Sequence, residues 1–499
     1  MKKQLLTVAA TVLMGYSAFA GGYLANTNQN AAFLRNPAQG ATISVQGAYS
    51  NPAGVGFLDK GWYLGLNIQN ARQTREIEST YAPFALGIKN EGNSTVKYVG
   101  KTYAPVIPSF DLAYVHNEHF FGSFHFGITS GGGKAVFDKG LGSFESQIAI
   151  IAAALNGMAG ADVFKYDADI DMTGEQYTYS GQLNLGYRLN DHLSFSAGLR
   201  VSYLSNHFDA NIKNIKLQQG ANPALPAGDV IIATFNAKGI PLSDPQKAAV
   251  QSMFADRQLD CSQSAVAFAP VLGIDYKTGP LNVAARYEFN TSVRLKNKTA
   301  EGKDAGLAQY KDGRDDVAND IPALFVIGAQ YSVLENLRVS AQFNHYFEKQ
   351  SKVYNPISDK NDRTNVITGN SSEVLGGIEW DPIQKLTVSC GAQYFFWKGD
   401  DEEFQNDQCI NPDVLSVGGG FRYKFTDRFS ADVAVFKSFY NHATKEMADY
   451  NGVGMSTANK LRALGLPNAA IPSDKMLITG TDRYYRTSFV LGIGLNYNF

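Results

Sequence analysis

Apolar and polar side chains alternate with a period of two along most of the chain. The first clear segment begins at Gly61, where Trp62, Leu64 and Leu66 alternate with small or polar residues. Such alternation is typical of β-strands with one apolar and one polar face. The pattern recurs thirteen more times, and the last segment ends on Phe499. We therefore predict fourteen strands, at residues 61–71, 106–116, 119–129, 175–189, 192–206, 263–276, 280–292, 319–332, 336–347, 372–382, 386–398, 412–425, 428–440 and 483–499.

The connections between these strands alternate strictly in length. Those after even-numbered strands are short hairpin turns rich in Asn, Asp, Gly and Pro, such as His116–His119 and Thr426–Arg428. Those after odd-numbered strands are long, with residues 130–174, 207–262 and 441–482 as the extremes. A bacterial transmembrane barrel requires this arrangement: an even number of antiparallel strands, short periplasmic turns, long external loops and apolar residues facing lipid.

A soluble β-barrel or propeller is the alternative architecture. In those folds the apolar face points inward, and the loop lengths need not alternate. Aromatic residues near strand ends, among them Trp62, Tyr203 and Tyr497, also favour interfacial girdles. The predicted fold class is therefore all-β: a 14-stranded antiparallel transmembrane β-barrel.

The first twenty residues have the pattern of a secretory signal peptide. A basic pair precedes the ten-residue apolar stretch Leu5–Met14, and residues 18–20, Ala-Phe-Ala, match the small-x-small site of signal peptidase. Ten residues are too few to cross the ~30 Å hydrocarbon core as a helix. We expect cleavage after Ala20 and location in the outer membrane of a Gram-negative cell.

Composition excludes some classes of function. The 499 residues include 44 Lys and Arg against 46 Asp and Glu, a net charge of −2. Because phosphate binding needs clustered basic residues, we expect no nucleic-acid partner. Cys261, Cys390 and Cys409 are widely spaced, so neither a disulfide nor a metal site is predicted from them.

No motif indicates catalysis. The run Gly131–Lys134 resembles a phosphate loop, but Ala135 replaces the required Ser or Thr, and no Gly precedes it at the proper spacing. His116, Glu118 and His119 occupy a short turn, where solvated polar residues are common. We predict no enzyme activity, no cofactor and no metal.

Residues 21–60 lack the strand pattern, yet they contain apolar side chains that require burial, including Phe33, Leu34 and Val55. A fourteen-strand barrel has a lumen wide enough to need a plug. We therefore predict a signal peptide at 1–20, an N-terminal hatch at 21–60 inside the lumen, and the transmembrane barrel at 61–499.

The segment Ser50–Gly54, Ser-Asn-Pro-Ala-Gly, lies just before the first strand. Together with fourteen strands, a signal peptide and a terminal aromatic residue, it resembles the FadL family of outer-membrane transporters for long-chain fatty acids and other hydrophobic compounds. The resemblance covers the whole mature chain, and the stretch from Asn26 to Ala53 is similar to the hatch of family members from Bacteroidetes-like bacteria. It implies passive uptake through a barrel closed by a hatch.

The resemblance also implies a lateral exit. In the family, a kink and a gap in the third strand open the wall towards the membrane, beside the hatch motif. Carried over to this chain, the implied hatch residues are Asn51, Pro52 and Ala53. Gly122 and Gly127 of the third predicted strand are the candidate kink positions.

Residues 144–160 form an apolar, Ala-rich helical stretch within an external loop. An exposed apolar helix needs a partner surface. It could line a hydrophobic capture groove, with residues 241–257 as the opposing wall, or it could pack against other loops for stability; both interpretations stay open. The candidate groove residues are Ile148, Ile151, Leu155, Met158, Met253 and Phe254. No basic residue is assigned to a substrate carboxylate.

Three functions fit a plugged or open barrel. The first is a passive transporter of hydrophobic molecules, the second an open porin for polar solutes, and the third a barrel adapted to a protein partner in secretion or to haem uptake. We favour the first. The expected partners are hydrophobic small molecules such as long-chain fatty acids, outer-membrane lipid, and the barrel assembly machinery through the C-terminal strand that ends at Phe499. We expect a monomer.

Overall fold

The computed structural model describes residues 27–159, 163–354, 360–361, 368–398, 407, 412–463 and 476–499. The predicted signal peptide, its cleavage site and Cys409 lie outside the described residues, as do the first six residues of the predicted hatch.

Fourteen antiparallel strands form a closed barrel, as predicted. Each strand pairs with the next along the chain, and the last pairs with the first from Tyr63–Asn498 to Tyr81–Gly480. The strands are β1 Gly61–Tyr81, β2 Thr95–Val115, β3 Phe120–Phe137, β4 Phe164–Arg188, β5 Leu193–Gln219, β6 Arg257–Thr278, β7 Leu281–Glu288, β8 Leu324–Leu334, β9 Leu337–Tyr346, β10 Ser371–Ile383, β11 Leu386–Phe396, β12 Val414–Lys424, β13 Phe429–Tyr440 and β14 Gly480–Asn498.

Four further strands extend this sheet on the side of the long loops. Arg294–Asp304 and Val317–Ala318 continue the directions of β7 and β8, Ala443–Met447 continues β13, and Leu225–Pro226 pairs with the end of β5.

All fourteen predicted strands are present. Several are much longer than predicted, whereas β7 ends four residues earlier and β8 begins five residues later than predicted. β4 and β5 have 25 and 27 residues, whereas ~9–11 residues suffice to cross a bilayer. The apolar alternation ends where a strand leaves the apolar band. Backbone pairing continues further, because a ladder of hydrogen bonds does not require apolar side chains.

The barrel exposes apolar side chains and buries polar ones. Large apolar residues point outward along every part of the wall, as Ile68, Leu185 and Ile493 illustrate, with exposures of 54%, 67% and 51%. Inward positions carry polar groups such as Gln182 and Asp432, both fully buried. This polarity is opposite to that of a soluble barrel and matches a lipid-facing wall.

Six α-helices complete the described structure: α1 Ala31–Arg35, α2 Gly47–Ser50, α3 Gly142–Ala159, α4 Ala227–Ala237, α5 Asp244–Met253 and α6 Val453–Ala463. Within the described residues, none of these helices combines the length and apolarity needed to cross a membrane. The predicted helix at 144–160 corresponds to α3.

The segment from Thr27 to Leu58 lies inside the barrel and is almost wholly buried. It contains α1, α2 and a 3-10 turn at Pro52–Phe57. Asparagine side chains start two of these elements: Asn30 Oδ1 accepts a hydrogen bond from Phe33 N at 2.9 Å, and Asn51 Oδ1 accepts one from Gly54 N at 3.1 Å. The elements are too short to be stable alone, so contacts with the wall must hold them.

Candidate functional site

The wall has a gap between β2 and β3. Residues Gly100–Thr102 pair with Ala135–Phe137, and Phe110–Val115 pair with Phe121–Phe126. Between these two ladders, residues 103–109 of β2 and residues 127–134 of β3 have no backbone pairing with each other within the described strands. The gap lies at the height of outward apolar residues such as Val106 and Phe126.

The sequence of both strands explains the gap. Pro105 and Pro108 of β2 have no amide hydrogen to donate to a neighbouring strand. β2 also bulges against β1 opposite Gln69–Ala71, and β3 bulges twice against β4 between Ile128 and Gly133. Because a bulge bends its strand, β2 and β3 separate where both carry extra residues.

Glycine permits the second bulge of β3. Gly131 and Gly133 have φ angles of +99° and +74°, which residues with a side chain rarely adopt. The predicted kink positions lie lower: Gly122 pairs regularly with Tyr114 and Leu185, and Gly127 is the first residue of β3 without a partner on β2. The irregularity therefore follows Gly127 and does not include Gly122. The run Gly131–Gly133 is the local sequence feature that marks the irregularity in β3.

A second irregularity in the wall, between β7 and β8, is closed by hydrogen bonds that do not involve the hatch. β7 and β8 are interrupted on either side of Thr291 and Ile321, which form an isolated bridge. The carboxylate of Asp320 accepts hydrogen bonds from Val293 N at 2.9 Å and Lys352 N at 3.0 Å. These contacts replace the missing ladder, so this part of the wall stays closed.

At the gap between β2 and β3, the hatch residue Gln29 contacts both strands. Gln29 Nε2 donates a hydrogen bond to the carbonyl oxygen of Ile128 at 2.9 Å, and Ser109 Oγ donates one to the carbonyl oxygen of Gln29 at 2.5 Å. Gln29 Oε1 also lies 3.3 Å from His125 Nε2. The residue is 3% exposed and bridges both edges of the gap.

The motif Asn51-Pro52-Ala53 lies elsewhere in the barrel. Asn51 Nδ2 donates to Asp275 Oδ2 at 2.5 Å, and the carbonyl oxygen of Ala53 accepts from Ser194 Oγ at 2.8 Å. These partners belong to β6 and β5. The structure thus places the motif against β5 and β6, where the buried carboxylate of Asp275 holds Asn51.

Tyr49 connects the motif to the lower edge of the gap. Its ring lies 4.8 Å from the ring of His125, whose Nδ1 is 2.8 Å from Asp111 Oδ1. The guanidinium groups of Arg200 and Arg286 lie 5.1 and 4.8 Å from the same tyrosine ring. The pair Asp111–His125 is the second residue pair below the gap. The hatch therefore contacts the wall at the gap through Gln29 and just below the gap through Tyr49.

Arg35 anchors the other side of the hatch. At the end of α1, its guanidinium forms ion pairs with Glu379 at 2.6 Å and Asp432 at 3.0 Å, and donates to Ser389 Oγ at 2.6 Å. All three charged side chains are 6% exposed or less. Buried ions are costly unless paired, so this cluster favours the seated hatch.

The helices in the long loops share one apolar cluster. Ile148, Ile151 and Leu155 of α3 are buried in it, and Phe254 and Met158 pack at its edge. Met253 is half-buried, and its carbonyl oxygen accepts from Arg257 at 3.2 Å. The cluster brings the two predicted walls together. A role of its edge in substrate capture stays a prediction.

Two cations border this cluster, and the sequence did not single them out. Arg257, half-buried at the start of β6, donates to Gln147 Oε1 of α3 at 3.4 Å. Lys460 lies on α6, which packs against α3. Burial, and then the charge of Arg257, lower the pKa of Lys460 to about 8. Neither cation forms an ion pair with any residue that the structure describes.

Solved structures share this fold. A FadL homologue from Pseudomonas aeruginosa matches with a TM-score of 0.60 and 13% identity, over 97% of this chain and 100% of that chain. The toluene transporter TbuX of Ralstonia pickettii matches with a TM-score of 0.52 and 11% identity, over 94% and 98%. The toluene transporter TodX of Pseudomonas putida matches with a TM-score of 0.51 and 13% identity, over 92% and 95%.

No family model matches the chain, and no curated protein sequence does. The resemblance to FadL-type channels is therefore confirmed at the level of the fold.

Proposed function

We propose that this chain is an outer-membrane channel for the passive uptake of hydrophobic small molecules, with long-chain fatty acids as substrates. The external helices capture the substrate, the hatch controls the lumen, and release is lateral through the gap between β2 and β3. The observation that carries the proposal is the gap: backbone pairing stops within the apolar outer band, and Gln29 of the hatch bridges the two edges from inside.

The similar structures support the coarser part of this proposal. The proteins of R. pickettii and P. putida transport toluene, a small hydrophobic molecule, and their barrels share the fold of this chain. The buried hatch argues against an open porin, because its side chains occupy the lumen that polar solutes would need.

The cations Arg257 and Lys460 favour a substrate with a carboxylate over a plain hydrocarbon. Burying a cation without a counter-charge is unfavourable, and a bound carboxylate would supply that charge. The neighbouring cluster of α3, α4 and α5 is apolar and could receive an alkyl chain. A fatty acid combines both groups in one molecule.

Uptake tests the whole proposal. In cells that lack their own outer-membrane transporter, the chain is expected to raise uptake of a labelled long-chain fatty acid above the empty-vector level. Replacing Asn51 and Pro52 with alanine removes the bond to Asp275 and the cap of the 3-10 turn, so we expect uptake to fall several-fold.

The matched control is Asn93→Ala, which changes an exposed asparagine in the β1–β2 connection and should leave uptake unchanged. Absence of uptake by the wild-type chain, despite folded protein in the outer membrane, would contradict a fatty-acid substrate. It would favour another ligand or a protein partner.

Lateral release is tested by closing the gap. The bulges place one extra residue in β2, at Pro105, and two in β3, at Thr129 and Gly131. Deleting these three residues leaves six residues on each strand between the pairs Thr102–Ala135 and Phe110–Phe126, so a regular ladder can form. If release is lateral, the deletion variant keeps its binding of fatty acid but loses most uptake. Uptake at the wild-type rate by a folded variant would exclude this exit.

The affinity for an anion bound at Arg257 and Lys460 is expected to depend on pH. The probe is a C16 alkyl sulfonate, because its charge stays constant. As the pH rises from 7 to 10, Lys460 of the free protein loses its proton at about pH 8. A bound anion stabilises the protonated lysine, so in the complex the proton is lost at a pH above 8. We expect affinity, measured by calorimetry, to fall about tenfold over this range, the value of one charged hydrogen bond.

The control variant Lys460→Arg keeps its charge throughout the range and should bind with little change. An equal fall in the wild type and in Lys460→Arg would contradict a role for Lys460 in anion binding. Uptake of fatty acid could persist in that case.

A further inference from the structure

Outward-facing cations lie along the upper edge of the gap, on the side of the long loops. Arg72 of β1 pairs in register with Tyr103 of β2, the first residue of the gap. Lys101 of β2 lies one outward position above Tyr103, and Lys134 is the last residue of β3 within the gap. All three side chains are exposed. We call Arg72, Lys101 and Lys134 the basic rim.

The register of neighbouring strands gives the height of the basic rim. On β14 the outward residues are apolar from Tyr497 to Phe489, a stretch of nine residues. A tilted strand of ~9–11 residues crosses the hydrocarbon core. Because Phe489 pairs with Arg72, the basic rim lies at the level where the apolar band ends and lipid headgroups begin.

Of the three cations of the basic rim, only Lys134 has an acidic residue directly opposite it on a neighbouring strand. Within the described residues, none of its three cations forms an ion pair; Arg72 lies over the ring of Tyr103 at 5.2 Å. Glu175 of β4 is opposite Lys134 in register and is the nearest acidic position along the ladder. Four to six residues further up the strands, the charges balance: Lys97 pairs with Glu76 at 2.8 Å, and Arg483 pairs with Glu78 at 3.3 Å.

We propose that the basic rim binds the phosphate groups of an outer-leaflet glycolipid, whose acyl chains then lie across the outer mouth of the gap. Exposed Lys and Arg at headgroup level attract anionic lipid, and Arg and Lys both bind phosphate. The exposed residues below the rim, Val106 and Phe126, supply an apolar surface for the chains. The proposal rests on the outer-membrane location in the proposed function, but it does not depend on the transported substrate.

Native mass spectrometry of the full chain in detergent tests this proposal. The probes are lipid A with two phosphates and the same lipid A with both phosphates removed. The test variant is Arg72→Gln/Lys101→Gln/Lys134→Gln. The matched control is Lys216→Gln/Lys296→Gln/Lys298→Gln, which removes three exposed lysines elsewhere on the barrel.

We expect the rim variant to bind bisphosphorylated lipid A about tenfold or more weakly than the wild type, and the control variant to bind within about twofold. Phosphate-free lipid A should bind the wild type as weakly as it binds the rim variant. Equal losses in both variants, or equal binding of the two lipids by the wild type, would overturn the proposal. Both variants are first checked for barrel folding by heat-modifiable migration, and fatty-acid uptake is measured separately.

Discussion

Deleting residues 21–60 is expected to leave a folded barrel that conducts ions and leaks polar solutes. The wall does not need the hatch for closure, because β1 and β14 pair directly over nineteen positions. The lumen is occupied by hatch residues, which are almost wholly buried from Thr27 onward. Without them, water can enter and solvate the inward polar side chains of the wall.

The measurement is the ion conductance of the purified barrel in a planar lipid bilayer. We expect single channels to conduct roughly tenfold or more above the intact chain, in keeping with the lumen of a wide barrel. Circular dichroism and heat-modifiable migration serve as controls for folding. Conductance equal to that of the intact chain would show that the hatch does not close the pore.

Replacing Arg35 with alanine is expected to destabilise the seated hatch by about 3 kcal/mol. The variant leaves Glu379 and Asp432 buried without their shared partner. The loss is limited because Arg422 still pairs with Asp432 at 3.0 Å, and Arg338 lies 3.4 Å from Glu379. The hatch should therefore leave its seat more often while the barrel stays folded.

Two measurements follow the hatch in Arg35→Ala: the open fraction of single channels, and the rate of proteolysis within residues 27–58. Both should rise by two orders of magnitude, the value of about 3 kcal/mol. Arg483→Ala is the matched control, because it breaks an ion pair whose arginine is 58% exposed. Exposed pairs contribute about 1 kcal/mol or less, and this one is far from the hatch. Equal effects of the two substitutions would contradict the anchoring role of Arg35.

The pattern of residues along the sequence was sufficient to predict the architecture of the barrel. Strand alternation is a local property, since each residue's face is set by its position in its own strand. Turn chemistry is local as well, as in Leu189–His192, where Asn190 Oδ1 accepts hydrogen bonds from the amides of His192 and Leu193. Strand number, loop order, the buried hatch and helix α3 all follow from such signals. Several strand ends were misjudged, because pairing outlasts the apolar band, and the four strands that extend the sheet were not predicted.

The functional geometry depended on contacts between residues distant in sequence. The gap arises because β2 and β3 carry extra residues at the same height, and that coincidence is visible only once the register of four strands is known. The contact of Gln29 with Ile128 and the proximity of Lys460 to Arg257 likewise join residues that are distant in sequence.

The motif Asn51-Pro52-Ala53 shows the limit of local reasoning most clearly. Its sequence specifies a capped turn, and the structure contains that turn. Its place against Asp275 follows from the course of the whole hatch within the barrel. The sequence by itself thus determined the periodic elements and their order, because these depend on neighbours along the chain. The tertiary structure alone decided which hatch residue meets the gap and which charges meet each other, because these depend on register and closure.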